Sequence, residues 1–122
     1  MRNSVTVITR PTVQAHFDGR SAIVREIYNG ILKVSRNFGP VIEDPKKTSI
    51  HLNNRAAFAG IQTRREWLVL TLKSIENIES GRIAKREQAS ANRWYLDLKI
   101  VSPEEIDDEL IEWLSASYQL SS

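Results

Sequence analysis

The stretch EDPKKTSIHLNNRAAFAG, residues 43–60, sets Lys46, Lys47, His51 and Arg55 around one short hairpin pattern. Lysines at a turn and an arginine at a strand end can converge on one anion, and a guanidinium grips a carboxylate or phosphate through two parallel hydrogen bonds. Histidine is the group whose charge changes nearest neutrality. Further along, Arg82 and Lys85 fall in SGRIAKREQASAN, while Arg93 and Tyr95 open RWYLDLKIV. If that last run shares a sheet with SIHL, strand phase turns His51, Arg93 and Tyr95 toward one face. The expected ligand-binding set is therefore Lys46, Lys47, His51, Arg55, Arg82, Lys85, Arg93 and Tyr95. The plain counter-reading is a solvated basic surface with no ligand.

Catalysis is harder to build from these residues. A His51 base would need an orienting carboxylate, for which Asp97 and Glu43 are the candidates, and a nucleophile such as Ser49. No nucleophile elbow, phosphate-cradling glycine loop or His-Glu metal motif occurs. The chain has no cysteine, and its two histidines, His16 and His51, are far apart, so neither a thiolate nor a zinc site is expected. No catalytic residue and no cofactor are assigned. A binding module for an anionic small molecule is preferred to an enzyme using His51. Two further partners fit the same face. Single-stranded nucleic acid would stack on Tyr95 and Trp67. A second copy of the chain would form a homodimer by covering the outer sheet face.

The elements that must carry these groups follow from periodicity. Ile23, Ile27, Ile31, Val34 and Phe38 recur at helical spacing, and NFGP stops the run, which predicts a helix over 21–37. TSIHL, AAFAGI, EWLVLTLK and RWYLDLKIV alternate or pack as strands, with PVIE at 40–43 as a short fifth. Alternation implies a sheet covered on one side, which favours antiparallel pairing. SGRIAKREQASAN reads as a long loop. Ser102, Pro103 and Glu105 form a capping box, and Ile106, Leu110, Trp113, Leu114 and Ser117 continue a buried stripe, which predicts a helix over 103–119. Trp94 and Trp113 are expected in the core. The opening SVTVIT would be a short strand or a lead-in, and PTVQAHF one helical turn. The fold class is α+β: a two-layer sandwich of four to five antiparallel strands with both helices on one face. Residues 1–20 are taken as a lead-in to a single domain over 21–122.

Totals agree with that architecture. The 122 residues are one domain's worth, with a hydrophobic fraction of 41%. No run approaches a membrane helix, and the first residues lack a signal peptide's apolar core, so a cytoplasmic protein without membrane contact is expected. Net charge is +2, unevenly spread. All 17 bases precede residue 100, where they meet nine acids, whereas six acids and no base lie in 102–122. The body is thus +8 and the C-terminal segment −6. A basic body concentrates anions at modest salt.

Three phrases, FGPVIEDPKKTSIHLNNRAAFAG, SGRIAKREQASANRWYLDLKI and DDELIEWLSASYQLS, resemble the bacterial domain-of-unknown-function family 5655 from about His16 to the C-terminus. The resemblance implies a small α+β domain, found alone or attached to others, with no established activity. The family pattern usually has proline where Gly81 stands and often histidine where Tyr95 stands. A role needing an imidazole at position 95 is therefore not carried over.

Overall fold

The computed structural model describes residues 10–122. The expected strand at SVTVIT lies outside the described residues. A 3-10 turn, Gln14–Phe17, leads into α1 (Ala22–Arg36). The strands β1 (Ile42–Pro45), β2 (Ile50–Asn53), β3 (Ala57–Thr63), β4 (Leu68–Ser74), β5 (Ile83–Ser90) and β6 (Arg93–Ile100) follow. A second 3-10 turn, Pro103–Glu105, precedes α2 (Asp108–Leu120). The six strands form one antiparallel sheet in the order β1-β2-β3-β4-β6-β5.

Alternation decides which face each side chain takes. Ile50, Leu52, Ala59, Ile61, Leu68, Leu70, Leu72, Leu96, Leu98 and Ile100 are buried on the inner face. Val24, Ile27, Tyr28 and Ile31 of α1 and Leu110, Leu114 and Tyr118 of α2 cover them. Val13 and Phe17, before α1, pack against the same core. α1 is followed by a reversal at Gly39, whose φ of 151° suits glycine. A Cβ there would stand 2.5 Å from the Tyr118 hydroxyl, which donates to the Pro40 carbonyl.

One irregularity shapes the sheet. Leu52 pairs with Ala59 but Asn53 pairs with Ala57, so Phe58 is an extra residue in a β-bulge. The bulge turns both Phe58 and Ala59 inward, and the Phe58 ring meets Tyr118 edge-on with centroids 5.0 Å apart. The β3–β4 ladder begins only at Ala59–Leu72, leaving the strands splayed beyond it. Ser117 of α2 fills that gap: its Oγ accepts from the Lys73 amide at 2.9 Å and donates to the Phe58 carbonyl at 2.5 Å.

Four expectations need correction. SGRIAKREQASAN is not a loop; its residues 83–90 form β5, which brings the strand count to six. Beyond Ile83 this edge strand buries almost nothing on either face, so no alternation marks it. The C-terminal helix does not start at Pro103. The capping box at Ser102 ends in a single 3-10 turn, and Asp107 caps α2 afresh by accepting from the Leu110 amide at 3.0 Å. Trp94 and Trp113 are half-buried rather than fully buried: Trp113 packs against the core with Arg82 over its ring, and Trp94 lies outside the core cluster.

Candidate functional site on the open face of the sheet

Among the described residues no helix covers the outer face, and the register lays a polar row across all six strands. Asp44 stands beside His51, His51 beside Gly60, Gly60 beside Thr71, Thr71 beside Asp97, and Asp97 beside Lys85. The Thr71 hydroxyl donates to Asp97 Oδ1 at 2.6 Å. Gly60 is the gap in this row. It opens a cleft of about 350 Å³ whose walls include Ser49, His51, Gln62, Thr71, Lys73 and Tyr95. A second hollow of about 310 Å³ shares Thr71 and Tyr95 and adds Lys85, Glu87 and Asp97.

Gly60 is not required by the backbone, since its φ is not positive. A Cβ added there would meet Thr71 Cβ at 3.6 Å, an ordinary contact. Glycine in a strand interior weakens the strand by lost entropy and lost packing.

Lys73 gives the cleft its cation. It sits opposite Tyr95 in the β4–β6 ladder, and its Nζ donates to Ser121 Oγ at 3.0 Å. Ser121 Oγ donates in turn to the Ala57 carbonyl. Among the described residues no carboxylate lies within ion-pair distance of Lys73. Burial first, and then the charge of Arg93, push its ammonium below the ordinary lysine pKa.

The sequence-derived residues divide into groups. His51 and Tyr95 line the cleft, Lys85 lines the neighbouring hollow, and Arg93 stands close enough to Lys73 to perturb it. Arg55 occupies the β2–β3 turn at the Lys73 end of the sheet, exposed, its amide bonded to the Ser121 carbonyl. Lys46 and Lys47 lie at the other end of β2, a strand length of roughly 13 Å away. Lys46 pairs with Asp44 at 2.9 Å, and its carbonyl accepts from His16 Nε2 at 2.7 Å. Lys46, followed by Asn53, holds the Asp44 carboxyl below the usual range.

Arg82 is on the helical side. It reaches Asp107 at 2.9 Å, Glu109 at 3.1 Å and the Glu105 carbonyl at 2.7 Å, with Trp113 beneath it. Arg82 thus ties β5 to the start of α2 and is not brought to the cleft. Nor does Glu43 approach His51: it accepts from the Tyr28 hydroxyl at 2.5 Å on the inner face. Trp67 does not offer an open ring, because Lys99 Nζ lies 4.3 Å from its centroid.

A larger apolar groove, about 440 Å³, runs between α2 and residues 75–78. Lys73 borders it too, but Glu76 and Glu112 also line it and make it less suited to an anion than the cleft above Gly60. Among the described residues no group of three or more His, Asp or Glu could hold a metal ion. No helix there is long and apolar enough to cross a membrane.

Gly60 and Lys73, like Gln62 and Thr71 of the same cleft, were not among the sequence candidates. Lys73 carries a signal in EWLVLTLK, where it falls in phase with Val69 and Thr71 on the face away from the leucines. No curated protein and no solved structure matches the chain. A family model described as Domain of unknown function (DUF5655) matches residues 13–121, from just before the first 3-10 turn to the C-cap of α2. That match takes in every described helix and strand, and the chain belongs to this family.

Proposed function

We propose that the protein is a binding module for a small anionic molecule, carboxylate- or phosphate-bearing, seated in the cleft above Gly60. Lys73 is its anchoring cation, Arg93 adds charge at the same end, and His51 and Tyr95 form the rims. One observation carries this reading. A mid-strand glycine that neither its φ nor a steric clash requires leaves a hollow beside an ammonium with no carboxylate partner among the described residues. A site kept open at a cost in strand stability is what ligand binding asks for. The +8 balance of residues 1–101 supports the same sign of ligand. An extended nucleic-acid strand suits the face less well, since Lys99 covers Trp67 and Glu87 and Asp97 flank Tyr95.

The test is a thermal-shift and NMR titration with orthophosphate, citrate and lactate. A ligand of the folded state raises Tm saturably. Lys73→Ala should weaken binding by about 1.5–3 kcal/mol, the range for a charged hydrogen bond. Lys33→Ala, on exposed α1 surface, should leave it unchanged. Equal affinity in Lys73→Ala, or no saturable response to any of the three anions, would overturn the reading.

A further inference from the structure

We propose that Lys73 is a reversible covalent acceptor for a small 2-oxo acid, its amine condensing with the ligand's carbonyl while Arg93 holds the carboxylate. This deepens the cleft reading and rests on it. The ion pairs of Arg36, Lys46 and Arg82 with carboxylates fix those side chains as cations. Lys73 has no such anchor among the described residues: its side-chain partner is the neutral Ser121 hydroxyl. Asp97, the carboxylate in the row beside it, is engaged by Thr71.

The hydrogen bond to Ser121 serves the ammonium that anchors an anion and equally the neutral amine that attacks a carbonyl. Ser121 Oγ donates to the Ala57 carbonyl and so accepts from Nζ. A neutral amine can keep one N–H on Ser121 and turn its lone pair to the cleft. The C-cap position of Ser121 pulls the other way, because a helix C-terminus favours a cation. Burial first, and then the charge of Arg93, lower the pKa of the Lys73 ammonium from its ordinary value. Lysines that form imines are activated in these two ways, by desolvation and by a neighbouring cation.

Arg93 lies two residues from Tyr95, the direct cross-strand partner of Lys73. Such diagonal neighbours are roughly 7–8 Å apart at the backbone, within reach of long side chains. A 2-oxo acid, with carbonyl and carboxylate on adjacent carbons, can span the two. The step balances without an oxidant or reductant. Nζ attacks the carbonyl carbon and a C–N bond forms. The carbonyl oxygen then leaves as water with the two amine protons, and C=N replaces C=O. His51 and Tyr95, in the same cleft, are groups able to hold or pass those protons.

The test treats the full chain with pyruvate and cyanoborohydride near neutral pH, then maps modified lysines by peptide mass. Lys73 should be labelled ahead of Lys33, Lys46, Lys47, Lys85 and Lys99. Each unit of pKa depression gives roughly tenfold more free amine. Arg93→Gln should reduce labelling, and Gly60→Leu, which fills the cleft but spares the amine, should bring Lys73 to the level of the other lysines. Uniform labelling of all lysines, or labelling unchanged in Gly60→Leu, overturns the proposal. Lactate separates the two readings, having the carboxylate without the carbonyl. If lactate shifts cleft resonances but pyruvate gives no Lys73 adduct, the binding module stands and the imine falls. If neither occurs, both fall.

Discussion

Ser117 Oγ donates to the carbonyl of Phe58, 59 residues away in sequence, and the same oxygen accepts the amide of Lys73. One hydroxyl from α2 thus replaces a missing rung between β3 and β4. Ser117→Ala would leave a buried carbonyl and an amide unpaired. An unmade buried hydrogen bond costs about 1–3 kcal/mol, so the variant should lose about 2–4 kcal/mol in urea denaturation. An unchanged midpoint would show that water or relaxation closes the gap.

Gly60→Ala should leave stability unchanged or raise it by about 0.5–1 kcal/mol, because alanine removes unfolded-state freedom and its Cβ meets only an ordinary contact. Anion affinity should fall in the same variant. A loss of stability without loss of binding would mean that glycine serves the sheet and not the cleft.

Tyr28 is fully buried, and burial together with the hydrogen bond to Glu43 moves its hydroxyl far above its ordinary pKa. Tyr28→Phe deprives a carboxylate of its short donor. A loss of about 1.5–3 kcal/mol is expected, the range for hydrogen bonds to charged groups. Equal melting of the two proteins would show that Arg36, 3.5 Å from Glu43, suffices alone.

The Arg82 clamp gives a pH dependence. Arg82 above all, and then the Leu110 amide, hold the Asp107 carboxyl below the usual carboxylate range. A carboxyl depressed in the folded state stabilises fully above its unfolded pKa and loses that contribution as pH falls through the folded one. Stability should therefore decline below about pH 4, less steeply in Arg82→Ala. At neutral pH that variant should lose about 1–2 kcal/mol through the bond to the Glu105 carbonyl and the Trp113 contact. Parallel acid profiles for the two proteins would contradict the clamp.

Periodicity carried the architecture wherever a buried face existed. α1 and strands β2, β3, β4 and β6 each present an apolar side to the core, and their phase alone assigns His51, Arg93 and Tyr95 to the outer face. β5 lacked that signal because an edge strand beyond the helices has no burial to impose alternation. The break before α2 was hidden by two successive cap sequences, of which Ser102 reads as the stronger although Asp107 starts the helix. Arg82 was assigned to an anion because its true partners, Asp107 and Glu109, lie 25 and 27 residues on. Lys73 was passed over for a related reason. Its hydrogen-bond partner Ser121 lies 48 residues away, which strand phase cannot reveal.

The strand order has a kinetic meaning. β1 to β4 form a meander of neighbouring strands, and β5 and β6 form a separate hairpin around Ala91 and Asn92, so both pieces can assemble from local contacts. They join at one seam, β4 against β6, where Leu68 meets Ile100 and Lys73 meets Tyr95. Thr71 and Asp97 also face each other across it. The cleft therefore exists only once the two halves have met, and its walls belong to both. A ligand held between Lys73 and Tyr95 would act as a latch on the seam, slowing its opening, and amide exchange along β4 and β6 would report the latch closing.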